Sequence, residues 1–387
     1  MTTKSILNNS ILKKKYSFKE LFLFFYIMFF CFFYLFCSFT VEMKQSIVVY
    51  ALPLITISNT LVFFIFSLTK MIKGKGIELF FLILLFTVLC MDLIFVDNQI
   101  FGVVIIFNVI VMLINSKYIY VEKSFYKTFS FFMFILFIYY IFFHINLGFN
   151  PNTVGFVTLL TIIYTIVFFE TNKIFNHKLI HLLCITIGYI IIFETESRGA
   201  LLGLITFSFF NYLVPNKIYL KKFFISLCYA LATVGSLVFC VYYVSLWEKG
   251  FELKSSFSEK SFYTGREAIW SEVLTAFYKQ PFIGIGSNFD LQSFRYLNIH
   301  NSMLEIMGLY GILVFILFIS ILWNRMYSLF SKMAEYTELK TVVIGFLSIL
   351  VVGIFENTLL DSSHAFPIYF LIFIGQSIYN RKKIESK

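Results

Sequence analysis

Apolar runs long enough to cross a lipid bilayer recur along the chain, and no other sequence feature restricts its fold so strongly. They fall at 21–41, 46–68, 78–97, 99–115, 126–146, 153–169, 178–194, 198–214, 222–245, 302–323, 340–359 and 364–380. A spanning helix needs about 20 apolar residues, so the pattern predicts an all-α, polytopic integral membrane protein with about 12 transmembrane helices. Composition excludes the alternative of a soluble domain. Of 387 residues 59% are hydrophobic, 54 are Phe and only 13% are charged, too little polar surface for a water-soluble fold of that size. The basic start (Lys4, Lys13, Lys14, Lys15, Lys19) leads straight into a Phe-rich run with no small-residue cleavage site. It reads as a retained first helix rather than a removed signal peptide. The six cysteines all lie inside apolar runs and none has metal-site spacing, so neither a disulfide framework nor a metal site is predicted.

The formal net charge of +10 would suit a nucleic-acid partner, but its distribution describes membrane topology instead, and no nucleic-acid role is predicted. Lysine and arginine in short loops mark the cytoplasmic side. One set of connections holds Lys70, Lys73 and Lys75; Lys117 and Lys123; Lys173 and Lys178; Lys217, Lys221 and Lys222; and Arg325, Lys332 and Lys340. The basic amino terminus and the Arg381–Lys383 cluster fall on the same side, whereas the alternate short connections hold only Lys44 and Arg198. Both termini are therefore expected in the cytoplasm. The chain reads as a single membrane domain, 1–387, with one long extracytoplasmic loop, 246–300, between the ninth and tenth helices. Within that loop "GREAIWSEVLTAFYKQ" has helical spacing, with Ile269, Val273, Leu274 and Phe277 on one face. Pro281 and the glycines of "PFIGIGSN" end it. An ordered cap over the outer face is expected.

On this topology the ionisable residues gather on one side. Asp92, His144, Glu194, Arg198, Glu305, Glu356, Asp361 and His364 fall near outer helix ends, and Arg266, Arg295 and His300 belong to the loop. Polar groups inside a membrane commonly mark function, so the active surface is expected to face outward. Arg198 is notable because only five basic residues are arginine. It opens the eighth helix, whose unpaired N–H groups and dipole favour an anion, and its planar fork suits phosphate oxygens. Gly199 and Gly203 permit close helix packing. The plainer alternative is a snorkelling Arg198 paired with Glu194 one turn back. In "NIHNSMLEIMGLYG", His300 precedes the tenth helix, where the dipole disfavours imidazolium and leaves a neutral ring able to act as a general base. Alternatively His300 only hydrogen-bonds at the interface, Asn301 only caps the helix, and Arg266 and Arg295 are exposed loop charges. Tyr263, Trp270, Tyr278 and Tyr296 either stack on sugars or pack the cap.

Taken in order, "TESRGALLG", "TGREAIW" followed by "FYKQPFIGIG", and "IHNSMLEIMGLYG" resemble the O-antigen ligase and polysaccharide repeat-unit polymerase (Wzy-type) superfamily. The upstream "GFNPNTVG" is similar to that family's Pro-Asn helix start. The motifs cover roughly residues 148–311. The resemblance implies a membrane glycosyltransferase of GT-C architecture in the bacterial plasma membrane, without metal or cofactor, using an undecaprenyl-diphosphate-linked oligosaccharide as donor. Carried over by motif, Arg198 and Arg266 bind the diphosphate and His300 activates the acceptor hydroxyl. Arg295, Glu305 and Asn152 are neighbours that the motifs do not match securely. The resemblance favours a polymerase of O-antigen or capsular repeat units, working with a chain-length regulator, over a ligase that transfers glycan to lipid A–core. A lipid-linked oligosaccharide flippase is the rival of another class. Transporters tend to place substrate groups at the bilayer midplane between repeats, and neither repeats nor midplane charges are apparent here.

Overall fold

A computed structural model describes residues 77–96, 100–119, 121–143, 150–172, 177–251, 265–292, 298–330, 332–361 and 364–385, with isolated positions between 26 and 72. Most of the first two apolar runs, together with His144, Tyr263, Arg295 and Tyr296, lie outside the described residues. Among those described the protein is all-helical. The first half holds α1 (Ile77–Phe95), α2 (Ile100–Asn115), α3 (Lys123–Phe143), α4 (Pro151–Asn172) and α5 (His177–Glu194). Then come α6 (Arg198–Ser208), which continues into a π turn at Phe209–Leu213, the short α7 (Asn216–Tyr219) and α8 (Lys222–Glu248). The last four are α9 (Arg266–Lys279), α10 (Ser302–Phe330), α11 (Thr337–Val352) and α12 (Ala365–Glu385). In hydrocarbon a backbone must satisfy its own hydrogen bonds, which only a helix does within one segment. Five of these helices, α1, α3, α4, α8 and α10, are long and apolar enough to cross a membrane.

The helices differ in what they face. α4 is buried nearly all round, as are the residues of α11 from Leu339 to Leu350. Both pack at the centre, against each other and against α6. Peripheral helices instead turn large apolar side chains outward, among them Leu182 and Leu183 of α5 and Val238 and Tyr242 of α8, a pattern suited to lipid. The expected close approach at the start of α6 is present. A Cβ on Gly203 would overlap Val352 and Leu159, and one on Gly155 of α4 would overlap Ser197. Two of the sequence motifs are thus packed face to face.

Three helix boundaries depart from the apolar runs, each for a local reason. The run 198–214 is α-helical only to Ser208. Pro215 has no N–H for the Asn211 carbonyl, and Val214 N–H bonds instead to Phe209 O at 3.1 Å, closing a wider turn. The run 340–359 stops being helical at Val352, and 353–361 becomes an irregular strap. The tenth helix extends to Phe330 but is broken at Gly311 (φ 82°, ψ 169°). The segment Pro281–Gly286 fills that break. Ile285 and Gly286 N–H donate to the carbonyls of Gly308 and Leu309 at 2.8 and 3.0 Å, and Ile312 N–H donates to Pro281 O at 2.9 Å. The glycines of "PFIGIG" and "IMGLYG" are therefore two halves of one backbone joint, since a Cβ on Gly284 or Gly311 would overlap the opposite strand of chain.

Candidate functional site

Three helix starts, the flank of α8 and the strap meet around one cavity of about 480 Å³. Its polar end is lined by Asn152 at the start of α4, Glu196 and Arg198 at the start of α6, Arg266 at the start of α9, and Glu356 from the strap. The walls below are apolar: Leu201, Leu202 and Ile205 of α6 on one side, Phe239 and Tyr243 of α8 on the other. Although α6 and α8 are neighbours in the chain, each packs against α11 and they do not form a packed pair. The cavity occupies the cleft between them, and its wall residues Leu202 and Ile205 remain 38% and 45% exposed.

Each charged side chain is held by its local sequence. Ser197 is the non-helical residue before α6, so Arg198 stands at the first helical position, with the unpaired N–H groups of the first turn beside it. In "TGRE", Gly265 takes the left-handed backbone (φ 87°) that precedes α9, and the Glu267 carboxylate accepts its N–H at 2.9 Å. Arg266 is thereby fixed at the first turn of α9 and aimed into the cavity. His300 and Glu196 also have left-handed backbones, φ 50° and 51°. For residues with a Cβ that conformation costs about 1–2 kcal/mol; Glu196 lines this cavity, and His300 bonds to Glu356 in its lining. The cap helix α9 buries Ile269, Val273, Leu274 and Phe277, as the spacing predicts. Trp270 is buried too, donating Nε1–H to Ile299 O at 2.6 Å and meeting Tyr243 edge-on. It packs the cap and also lines the cavity, whereas Tyr278 is exposed.

The centre of the arrangement is Glu356. Arg266 Nη2 donates to its Oε1 at 2.7 Å, and His300 Nδ1 lies 3.2 Å from its Oε2. A carboxylate beside a guanidinium is an acceptor, so Nδ1 carries the proton that faces Glu356, and in the neutral ring the lone pair is on Nε2. Asn301 and Ser302 hold the strap in place. Asn301 Oδ1 accepts the Leu304 N–H at 2.8 Å, the expected cap of α10, while its Nδ2 donates to Ile354 O at 2.9 Å. Ser302 Oγ donates to the Glu356 carbonyl and accepts from Thr358 N–H, each at 2.9 Å.

The sequence-predicted residues thus separate. Arg198, Arg266 and Asn152 line one cavity, and His300 reaches it through Glu356. Glu305 sits instead behind the strap, where Asn357 Nδ2 donates to its Oε1 at 3.0 Å. His364 pairs with Asp361 at 3.1 Å, against the edge of Phe156. Arg198 and Glu194 are both exposed at this end of the cleft, and Arg198 lines the cavity. Glu356 was legible only as one more outward carboxylate, because its partners are 56 and 90 residues away in sequence.

Fold and cavity together define a helical integral membrane protein whose polar cleft combines two arginines, a histidine–carboxylate pair and lipid-compatible walls. Residues 182–319, from α5 into α10, match the family model described as O-antigen ligase. The match is consistent with the O-antigen ligase and polymerase superfamily and implies a glycosyltransferase-like membrane enzyme of that type. No curated protein and no solved structure matches the chain. The matched segment includes Arg198, Arg266 and His300 but not Asn152 or Glu356.

Proposed function

We propose that the chain is a polysaccharide repeat-unit polymerase of the bacterial plasma membrane, joining undecaprenyl-diphosphate-linked oligosaccharides on the outer face. The observation that carries this reading is the composite cleft: anion-binding groups at its end, and apolar walls of α6 and α8 leading away. A lipid diphosphate has that same division, a doubly phosphorylated head on a long hydrocarbon tail. Arg198 and the first turn of α6 receive the diphosphate, and the free N–H groups of Arg266 assist. His300 Nε2 takes the proton of the acceptor hydroxyl. The oxygen attacks the anomeric carbon, the bond from that carbon to the diphosphate oxygen breaks, and the electron pair leaves with undecaprenyl diphosphate. Attack from the opposite side inverts the anomeric centre.

Charge grows on the departing diphosphate, where fixed guanidinium and helix-terminal N–H groups stabilise it without reorganising. Glu356 orients the imidazole and balances the imidazolium formed on proton transfer, while tying Arg266 into the same rigid unit. In this reading the protein has about 12 spans, GT-C architecture, both termini in the cytoplasm, 246–300 outside, and a chain-length regulator as partner. The second reading is ligation to lipid A–core, favoured by the description of the matching family. Purified protein given only a lipid-linked repeat unit distinguishes them. A ladder of lengths is expected; turnover that requires lipid A–core establishes ligation, and no covalent product under either condition points to transport.

A further inference from the structure

A second cavity, of about 370 Å³, lies at the other end of the same helices. It is lined by Glu170 in the last turn of α4, Lys178 and His181 in the first turns of α5, Asn211 and Tyr212 of the π turn, and Lys340 in the first turn of α11. Asn152 and Glu170 are 18 residues apart on one helix, a separation of about 27 Å at 1.5 Å per residue, so the two cavities belong to opposite membrane faces.

Part of this cluster is structural. The π turn leaves carbonyls of Phe210 and Asn211 outside the regular helix ladder. The Tyr219 hydroxyl donates to the first and Lys340 Nζ to the second, at 2.7 Å. Lys340 Nζ also donates to Asn216 Oδ1 at 3.1 Å, leaving one of its three N–H groups uncommitted. Glu170 is not accounted for in this way. Its Oε2 is buried and makes no hydrogen bond of normal geometry among the described residues; the Thr341 hydroxyl beside it is buried and unpaired as well, so this wall of the cavity can take a further donor. The cavity thus presents a buried carboxyl group on one wall and two ammonium groups, Lys178 and Lys340, on others. In a third cavity, beside Arg325, Glu78 also has an unpartnered Oε2, but its Oε1 already accepts from Arg325 and Lys117. There the guanidinium spends its N–H groups on Glu78 and on the carbonyls of Leu113 and Ile114, and the interaction is internal.

We propose that the Glu170 cavity binds the headgroup of a phospholipid carrying a primary amine and a phosphate, the amine donating to Glu170 and the phosphate meeting Lys178 and Lys340. The lipid source follows from the mouth. Leu182 lines the cavity and is 61% exposed, and Leu179 and Leu213 beside it are 57% and 71% exposed, an apolar border suited to acyl chains. Glu170 is the selective element, because basic pockets at this membrane face otherwise favour purely anionic headgroups.

The test uses the full-length protein, delipidated in detergent, placed in nanodiscs of equal parts phosphatidylethanolamine, phosphatidylglycerol and phosphatidylcholine, and released for native mass spectrometry. Retained phosphatidylethanolamine is expected to exceed each of the others by about tenfold, the ratio for 1.4 kcal/mol. Glu170→Gln should remove that preference with its melting temperature kept. Lys178→Ala, an exposed change that leaves the core packing intact, should lower retention of both phosphatidylethanolamine and phosphatidylglycerol and serves if Glu170→Gln does not fold. Equal retention of the three lipids, or an unchanged preference in Glu170→Gln or unchanged retention in Lys178→Ala, overturns the proposal. Soluble phosphoethanolamine that competes at concentrations equal to the lipid overturns the lipid assignment in favour of a free solute.

Discussion

At the scale of single residues, Glu356 divides its two oxygens between two neighbours, one for Arg266 and one for His300. If His300 accepts the hydroxyl proton, His300→Gln should lower turnover by about 10²–10⁴-fold with donor binding largely retained. Glu356→Gln, measured in the same purified system, should share most of that loss. The double variant should then be little worse than His300→Gln alone, since groups that act as one unit are not additive. Additive losses would separate Glu356 from the base. Arg198→Lys keeps the charge but not the fork, and should lose most activity together with donor affinity. Glu194→Gln should stay near wild type; equal defects in the two would support the ion-pair account of Arg198. The positions of Arg198 and Arg266, which open helices, and of His300, just before α10, were readable because each lies in a distinctive short motif at a helix start. Glu356 was not, since its place beside Arg266 and His300 comes from folding the strap back by Asn301 and Ser302, contacts that no local spacing announces.

Among elements, the joint between Pro281–Gly286 and α10 bears most directly on the site. It fixes the end of the cap against the helix that begins beside His300. Gly311 has a backbone open essentially to glycine alone, and a Cβ there would overlap the Phe282 carbonyl. Gly311→Ala should therefore destabilise by at least about 1–3 kcal/mol from backbone strain, read as a lowered thermal midpoint in detergent, and should reduce activity with it. Gly250 also has positive φ (70°) but nothing within 4 Å of an added Cβ. Gly250→Asn, which tolerates that backbone, should be nearly silent. Matching midpoints for the two variants would show that the joint contributes little. Hydrophobic run length located most helices to within a few residues. It missed the break at Gly311 and the early end of α11, because hydropathy measures solvent preference and is blind to a carbonyl bonded by a distant segment.

For the molecule as a whole, charge asymmetry makes a separate prediction. In a cysteine-free variant, single cysteines placed within 252–264 should label from outside with an impermeant thiol reagent. Cysteines within Lys217–Lys222 should label only after the membrane is opened. Labelling of both sets in intact cells would remove the outward-facing site. The structure adds what charge counting does not contain, namely that helices consecutive in sequence stand apart at the cleft while α11, late in the chain, packs against both.

The strap also has a consequence for biogenesis. A nascent chain that has emerged through His300 already carries both arginines and the imidazole, yet Glu356 has not been synthesised. In the proposed mechanism its base is unoriented and Arg266 is untethered, and α6 and α8 still lack the helix on which both pack, so a stalled or truncated product would have neither the closed cleft nor turnover. The last piece of catalytic geometry arrives only when α11 is made and its trailing segment closes on Asn301 and Ser302, and the appearance of activity during synthesis becomes a readout of nearly completed membrane insertion.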